Sequence, residues 1–227
     1  MSKFVVEFGK DTAPPAEDGR LESPAFARNH DAIWSALSRM LDKESGDVLE
    51  LGSGTGQHAA EFASRSPHLT WWPSDIVDAH LVSISAWRKF AGPANLREPQ
   101  RIDLANPDWT WRGDSGSGGP LAAMMCNNVL HISPWEVSRN LIAGAGRLLR
   151  AGGHLFIYGP FKRGGRHTAP SNADFDTSLR GRNPAWGVRD IDDLATLAKD
   201  AELTLTDAVA MPANNFVLVF TRGGEQT

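Results

Sequence analysis

The sequence predicts an α/β protein in which helices cover both faces of a Rossmann-like, doubly wound, largely parallel sheet. Short apolar runs of strand character alternate with amphipathic segments along most of the chain, as in consecutive βαβ units. The last two predicted strands, Leu203–Ala210 and Phe216–Thr221, are joined only by a few residues, MPANN. A parallel crossover needs about a dozen residues or more, so this final pair is expected to be antiparallel.

Composition limits the kind of protein this is. The chain has 227 residues, 41% of them hydrophobic, which suffices for one core. The formal net charge of −4 offers no global attraction to nucleic acid or to an anionic membrane. The single cysteine, Cys126, fits a reducing cytoplasm, and the N-terminus lacks the pattern of a secretory signal. We therefore expect a flexible leader over residues 1–20 and one soluble, cytoplasmic domain over 21–227.

The first half of the chain begins with a helix and then alternates strands and helices. Ser23 can cap that helix, Pro24 suits its first turn, and Gly46 is expected to end it. The elements that follow are a strand opening at Val48, a helix over Gln57–Ala63, a strand over Leu69–Trp72, a helix over Asp78–Phe90 and a weaker strand over 96–104.

The second half continues the alternation after a low-complexity surface loop at 112–120. The continuous apolar run Leu121–Cys126 is typical of a strand buried on both faces. The remaining predictions are a helix over Pro134–Leu149, a strand over His154–Tyr158, a long polar loop over Phe161–Val188, a helix over Ile191–Ala201 and the terminal hairpin.

The stretch ELGSGTG follows the first strand and indicates a ligand site. Its glycines, Gly52, Gly54 and Gly56, allow backbone to approach a ligand closely. The dinucleotide fingerprint needs another glycine at position 57, where this chain has Gln57. Glu50 would repel a phosphate but would favour an ammonium group. S-adenosylmethionine, which carries an ammonium and a sulfonium and no phosphate, therefore fits better, although Glu50 could also simply face water.

Acidic residues at the ends of the next two strands fit an adenosine ligand. Asp75 follows Gly56 by 19 residues, close to the spacing at which an acid accepts both ribose hydroxyls. Ile76 is placed to lie against the adenine ring. Asp103 is placed to accept from the adenine amino group, and a turn or a helix cap is an alternative for it. These features suit nucleotide dehydrogenases equally well, so they indicate adenosine binding without indicating the reaction.

Longer motifs resemble one family. The runs VLELGSGTGQHAAEF, WWPSDI, NNVLHISPWE, LLRAGGHLFIYGPFKRGGRHTAPSNADFD, RNPAWGVRD and MPANNFVLVF, between about Ser23 and Arg222, resemble a methyltransferase-like family long catalogued as a domain of unknown function. That family belongs to the class I S-adenosylmethionine-dependent methyltransferases. The resemblance implies a seven-stranded sheet in the order 3-2-1-4-5-7-6 with strand seven antiparallel. The chain departs from these relatives at Leu121–Ala123, where many of them carry an aspartate at the start of strand four.

The resemblance also implies which residues bind the cofactor. It suggests that the N-terminal helix covers the cofactor and that Arg28 or Asn29 contacts it. Ordinary packing is the alternative for these two residues. The residues carried over from the matched motifs are Glu50, Gly52, Gly54, Gly56, Asp75, Asp103 and Asn127. We also predict cofactor contacts for Ser53, Thr55, Ile76 and Leu104, and for Arg28 and Asn29 from that helix.

Two residues are candidates for the chemistry of methyl transfer. His131 follows strand four and could act as a general base, position the substrate or serve a structural role. Tyr158 ends strand five, and its hydroxyl could point into the same cleft or be satisfied in the core. The cofactor supplies the electrophile, so a catalytic side chain is optional.

The predicted loop 161–188 is a candidate for binding the substrate that accepts the methyl group. Such long loops often bind ligands, and Lys162, Arg166 and His167 could hold a small, anionic substrate, although a solvated basic loop is the alternative. No metal-ligand spacing is convincing, and the oligomeric state is not predicted. Three functions remain open: a methyltransferase acting on a small molecule, a cofactor-binding partner protein without turnover, and a nicotinamide-dependent oxidoreductase.

Overall fold

The computed structural model describes residues 14–116 and 118–224. A helix precedes an alternation of strands and helices, and two β-strands form the terminal hairpin. The helices are α1 (Pro24–Leu41), α2 (Gln57–Arg65), α3 (Asp78–Ala91), α4 (Trp135–Leu148), α5 (Pro170–Arg182) and α6 (Ile191–Asp200). The strands are β1 (Gly46–Leu51), β2 (Leu69–Asp75), β3 (Gln100–Arg101), β4 (Leu121–Asn127), β5 (Leu149–Arg163), β6 (Arg166–His167), β7 (Arg189–Asp190), β8 (Leu203–Met211) and β9 (Asn215–Arg222).

The main sheet confirms the predicted topology. Its strands run in the order β3-β2-β1-β4-β5-β9-β8, and the two short strands β6 and β7 pair only with the end of β5. With those two set aside, this is the predicted order 3-2-1-4-5-7-6. The pairs from β3 to β5 are parallel, whereas β9 is antiparallel to both β5 and β8. Successive strands are added on one side of β1 up to β3 and on its other side from β4 onward, and open α/β sheets bind ligands at such a switch point.

Helices cover both faces of the sheet, and alternate strand residues supply the two cores. On β4, Met124 and Cys126 pack with α4 and α6, whereas Ala123 and Met125 pack with α1 and α2. Because each face meets a helical layer, β4 is apolar at every position up to Cys126 and fully buried over that run. The predicted doubly wound arrangement is therefore confirmed.

The predicted polar loop at 161–188 is wrong in its main feature, because it contains helix α5. Pro170 occupies the first turn, which suits its fixed φ. The buried positions on α5 are Asn172, Asp176 and Leu179, at helical spacing. Two of these three are polar, so the helix has no apolar period, which explains why the sequence pattern missed it.

Two other boundaries also differ from the prediction. Helix α1 ends at Leu41, and Gly46 opens β1 with φ +107° instead of ending the helix. The predicted strand at 96–104 reduces to β3 and one bridge between Leu96 and Trp71. Ile102 follows β3, and a turn begins at Leu104; both are buried. Their apolar character therefore reflects burial at the cavity described below, and not strand pairing.

The ends of the chain bear on the predicted leader. Residues 1–13 and 225–227 lie outside the described residues, whereas residues 14–20 include a turn in which Gly19 N donates to Ala16 O at 2.8 Å. The Arg20 guanidinium lies 3.4 Å from the centre of the Phe90 ring. Within the described ranges, no helix combines the length and the apolar character needed to cross a membrane.

Gly56 allows α2 and α3 to pack closely, and its substitution offers a test of that contact. A Cβ at Gly56, where φ is +89°, would lie 2.8 Å from the Ile84 Cα, whereas one at Gly54, where φ is +57°, would meet no atom within 4 Å. Both Gly→Ala variants adopt a left-handed backbone, but only Gly56→Ala also forces the helices apart. We expect urea denaturation to give a loss of about 1–2 kcal/mol for Gly54→Ala and about 2–4 kcal/mol for Gly56→Ala. Equal losses would contradict the packing role.

Candidate active site

A cavity of about 200 Å³ opens at the carboxyl ends of β1, β2 and β4. This position follows from the topology, because parallel strands end at one edge of the sheet and the order in which strands are added switches sides at β1. The lining combines the glycine-rich turn, the ends of three strands and the segment that precedes α1. Its members include Leu21, Ser23, Ala25, Glu50, Gly52, Ser53, Gly54, Thr55, His58, Asp75, Ile76, Val77, His80, Ile102, Asp103, Leu104, Ala105, Asn127, Asn128, Val129, Ile132, Ser133 and Val137.

The glycine-rich turn forms one wall of the cavity through close main-chain contacts. Gly52 has φ +71°, and a Cβ there would lie 2.6 Å from the Val129 Cγ2. Gly54 donates its main-chain N–H to Asp75 Oδ2 at 2.9 Å. The predicted contact residues Ser53 and Thr55 also line the cavity, whereas Gly56 does not, because it faces α3.

Glu50 and Asn127 each place one polar atom in the cavity wall that has no hydrogen-bond partner among the described residues. Glu50 is 1% exposed, and its Oε2 has no hydrogen-bond partner among the described residues. The Asn127 Nδ2 is likewise buried and unpaired within that part of the chain. Buried polar groups normally find partners, so each such group calls for an explanation. One acceptor and one donor are thus left available to a ligand.

Burial also sets the charge state of Glu50. Loss of solvation and the nearby Asp75 carboxylate raise the pKa of Glu50 to about 7, although a hydrogen bond from Ser53 partly opposes this shift. A cationic ligand would favour the ionised carboxylate, because an opposite charge nearby lowers a carboxyl pKa. The alternative of an acid facing water is therefore wrong.

Asp75 and Asp103 hold the turns that border the cavity. Asp75 is 6% exposed, and its Oδ1 accepts from Val77 N at 2.9 Å and lies 3.1 Å from His80 Nδ1. Asp103 Oδ1 accepts from Ala105 N at 2.9 Å, which is the turn-forming role that the sequence indicated as an alternative for Asp103. Between these acids the wall is apolar. Its members include Ile76, Ile102, Leu104, Val129, Ile132 and Val137.

The two predicted contacts from α1 lie outside the cavity lining. Arg28 is exposed, and no ion pair joins it to another described residue. Asn29 is buried, and its Oδ1 lies 2.9 Å from His58 Nε2. This contact ties α1 to α2.

The two predicted catalytic side chains also lie outside the lining. His131 is 7% exposed and packs edge-on against Phe175 with ring centres 5.5 Å apart. Burial and the charge of Arg189 lower the pKa of His131 to about 4, so its ring is neutral at neutral pH. Tyr158 is 6% exposed, and burial raises its pKa. Its burial fits the alternative of a core tyrosine.

The predicted acceptor contacts on the basic segment gather around Asp176. Its carboxylate lies 2.9 Å from Lys162 Nζ and 3.3 Å from His167 Nε2. It also accepts from Val188 N at 2.8 Å, so it joins α5 to β5, β6 and β7. Arg166, on β6, is exposed and lies outside the cavity lining.

Several cavity residues have no counterpart in the sequence predictions. His58 and His80 line it from α2 and α3, and Leu21, Ser23 and Ala25 close it from the N-terminal side. Burial lowers the pKa of His58 to about 4, so it is neutral at neutral pH. Its position two residues after Gly56, in the first turn of a helix that starts at the glycine-rich turn, is a signal that could have indicated it.

The Cys126 thiol and the metal-binding residue types do not indicate further chemistry. Burial raises the pKa of the Cys126 thiol, so the thiolate that a nucleophile requires is disfavoured. Across residues 14–116 and 118–224, no group of three or more His, Cys, Asp or Glu side chains is arranged to hold a metal ion.

Solved structures match this fold over most of the chain. An O-methyltransferase family protein from Burkholderia thailandensis aligns with a TM-score of 0.73 and 19% identity, covering 89% of this chain and 58% of that one. Magnesium protoporphyrin IX methyltransferase from Synechocystis with bound S-adenosylhomocysteine aligns with a TM-score of 0.64 and 15% identity, covering 86% and 83%. An O-methyltransferase family 2 protein from Planctomyces limnophilus in complex with apigenin aligns at 0.65 and 17%, covering 89% and 63%.

These matches and the sheet topology define a class I methyltransferase-like fold. The chain spans under two thirds of the length of the Burkholderia and Planctomyces proteins, whereas it spans 83% of the Synechocystis enzyme. A sequence model of one protein family matches residues 20–222 of the chain. The chain belongs to the family described as "Protein of unknown function (DUF938)".

Proposed function

We propose that the protein binds S-adenosylmethionine in this cavity and transfers its methyl group to a small-molecule acceptor. The observation that carries the proposal is the pair of buried, unpartnered polar atoms, Glu50 Oε2 and Asn127 Nδ2. A carboxylate oxygen matches the ammonium of the methionine portion, and an amide N–H matches its carboxylate. Leaving either atom unpaired costs about 1–3 kcal/mol, which a ligand of this chemistry would recover.

The charge of the cavity supports a cationic cofactor over a dinucleotide. The lining contains the carboxyl groups of Glu50, Asp75 and Asp103 and no lysine or arginine among the described residues. S-adenosylmethionine carries a net positive charge, whereas the pyrophosphate of a nicotinamide cofactor would face acids without a compensating cation. The terminal antiparallel strand and Gln57 also argue against the oxidoreductase alternative.

The remainder of the lining supports an adenosine moiety. The Asp75 carboxylate is held at the end of β2 by Gly54 N and Val77 N, at 2.9 Å each, and its oxygens have capacity to accept from ribose hydroxyls as well. The apolar wall beside Asp103 suits a flat base. We propose that the other predicted residues that line the cavity also contact the cofactor; these are Gly52, Ser53, Gly54, Thr55, Ile76 and Leu104.

The cofactor supplies both the electrophilic methyl group and the leaving group. The chain therefore needs only to hold the reactants, exclude water and, for some acceptors, remove a proton. Good alignment alone accounts for about 7–11 kcal/mol of barrier reduction in the best intramolecular models. We propose that His131 acts on the acceptor side. A Cβ built on Gly159 would lie 3.4 Å from His131 Nδ1 and 3.8 Å from Asn128 Oδ1, and Asn128 lines the cavity.

Substitution of His131 tests this assignment. We expect His131→Ala to leave S-adenosylhomocysteine affinity within about twofold, because the ring is outside the cofactor cavity, and to lower turnover about 10²- to 10⁴-fold if His131 is the general base. His68→Ala, which removes a ring whose Nε2 lies 3.1 Å from Leu41 O, is the matched control and should change neither. Equal loss of affinity and turnover for His131→Ala would instead indicate a binding or structural role.

Two measurements test the proposal as a whole. Calorimetry should detect binding of S-adenosylmethionine and S-adenosylhomocysteine, and binding of NAD alone would refute the cofactor assignment. Incubation with methyl-labelled cofactor and a metabolite extract should then yield a labelled small molecule. Cofactor binding with no transfer across broad extracts would support the partner-protein alternative. Lys162 and His167 both contact Asp176, so they offer little support for an anionic substrate.

A further inference from the structure

The N-terminal edge of the cavity is formed by a short segment, residues 20–25, that we call the strap. Leu21, Ser23 and Ala25 of the strap line the cavity. None of its six residues is fully buried. Segments with few buried apolar contacts open at low free-energy cost, so individual contacts decide whether the strap stays closed. One of them is the Arg20 guanidinium, which lies over the Phe90 and Trp87 rings of α3.

Three hydrogen bonds attach the strap to α2 and α3. Leu21 N donates to Ser83 Oγ at 2.8 Å, and Trp87 Nε1 donates to Leu21 O at 2.8 Å. Ser23 N donates to Gln57 Oε1 at 2.6 Å. Ser83 is completely buried, and Gln57 is 8% exposed, so water competes weakly for these acceptors.

Ser83 and Gln57 also hold Thr55, a residue of the glycine-rich turn that lines the cavity. The Ser83 hydroxyl donates to Thr55 O at 2.7 Å. The Thr55 hydroxyl donates to Gln57 Oε1 at 3.3 Å. Each of the two side chains therefore contacts the strap on one side and the turn on the other. The position of the strap and the position of Thr55 are coupled through two shared groups.

We propose that the strap closes over the bound cofactor and that Gln57 and Ser83 are the positioning residues that latch it to the glycine-rich turn. The inference rests on the proposed function, since it takes the cavity to be the cofactor site. It also accounts for Gln57 at the position where dinucleotide-binding proteins carry glycine. The side-chain oxygen at position 57 holds the strap, which a glycine could not do.

Hydrogen exchange of the unmodified protein tests the closure directly. The Leu21 and Ser23 amides are expected to exchange when the strap opens, and opening is expected only from the ligand-free protein. S-adenosylhomocysteine at 100 times its Kd should then slow their exchange about 100-fold. Mass spectrometry of a peptide spanning residues 19–26 would measure this. Full binding without slower exchange would overturn the strap proposal while leaving the cofactor assignment intact.

Dissociation kinetics test the latch. Ser83→Ala and Gln57→Leu each remove the shared group, and we expect S-adenosylhomocysteine to dissociate about 3- to 10-fold faster from each. Ser85→Ala is the matched control, because Ser85 lies on the same helix, its hydroxyl contacts Glu98 at 3.1 Å, and it lies outside the cavity lining. Gln57→Glu keeps an acceptor oxygen at the helix N-terminus, where an acid is favourable, so it should restore the slow dissociation.

The outcomes separate the two proposals. Faster dissociation from Ser83→Ala and Gln57→Leu, with Ser85→Ala and Gln57→Glu unchanged, would support the latch, whereas wild-type rates in the first two would overturn it. If Gln57→Leu and Gln57→Glu dissociated equally fast, the acceptor oxygen would not be the latch. Absence of any S-adenosylhomocysteine binding to the wild-type protein would overturn the proposed function and the strap proposal with it.

Discussion

Replacing Glu50 with glutamine is expected to weaken S-adenosylmethionine binding about 10- to 100-fold while making the ligand-free protein more stable. The loss of affinity follows from removing a buried carboxylate that would pair with the ammonium group, since a hydrogen bond between charged groups contributes about 1.5–3 kcal/mol. Calorimetry would measure the affinity. Glu61→Gln, the same change on α2 at a side chain that is 37% exposed, is the matched control and should leave binding unchanged.

The gain in stability has a defined pH dependence. The ordinary pKa of a glutamate carboxyl is 4.5, and in the folded protein the pKa of Glu50 is raised to about 7. Ionised Glu50 therefore destabilises the fold, and this cost grows as the pH rises from 4.5 to about 7. Above pH 7 that cost is complete, at about 3 kcal/mol. The variant should therefore unfold at a higher temperature than wild type at pH 8, with the difference vanishing near pH 4. The expected gain is about 1–3 kcal/mol, because the glutamine amide must also be buried.

The same titration links cofactor binding to pH. A bound ammonium would favour the ionised Glu50, so wild-type affinity should rise with pH up to about 7 and then level off, with proton release on binding below that pH. Calorimetry in buffers of different ionisation enthalpy would detect the proton. Wild-type affinity in Glu50→Gln would show that the ammonium does not lie at Glu50.

Replacing Asp75 with alanine is expected to have the second large effect, on binding and on stability together. The change removes the proposed ribose acceptor, and it also leaves Gly54 N and Val77 N without the acceptor that each now has at 2.9 Å. We expect at least a 10²-fold loss of cofactor affinity and a loss of about 2–4 kcal/mol in the free energy of unfolding. Calorimetry and urea denaturation would measure the two.

A control separates the charge from the contacts. Asp78→Ala removes the same charge from an exposed position at the start of α3, and it should change cofactor affinity little. Unchanged affinity in Asp75→Ala would refute the ribose assignment. Weakened affinity with unchanged stability would mean that the main-chain contacts of Asp75 matter less than its contact with the ligand.

Part of the candidate site was predictable because it follows directly from strand ends. Asp75 and Asn127 are the last residues of their strands and Glu50 is the next-to-last of its own, and parallel strands end at one edge of the sheet. The structure brings these three side chains into one cavity lining. Their assignment as cofactor ligands remains a prediction for the experiments above.

Contacts between distant segments were beyond the sequence pattern. His131 follows β4 and Tyr158 lies within β5, yet the structure packs His131 against Phe175 and buries Tyr158 outside the cavity lining. Lys162 and His167 appeared available for an anionic ligand, but both contact Asp176, which lies on a helix that carries no apolar period. Side-chain partners depend on which segments meet in space, and local periodicity does not contain that information.

The sequence by itself determined the layered α/β architecture, the antiparallel terminal hairpin and the edge of the sheet at which a ligand would bind. These follow from strand and helix periodicity and from the lengths of connections, which are local properties of the chain. Only the tertiary structure decided that α5 exists, that the strap and the glycine-rich turn share Gln57 and Ser83 as hydrogen-bond partners, and that Glu50 Oε2 is buried with no hydrogen-bond partner among the described residues. Each of these depends on burial and pairing between residues far apart in the sequence, where the free energy of a polar group is set by its surroundings.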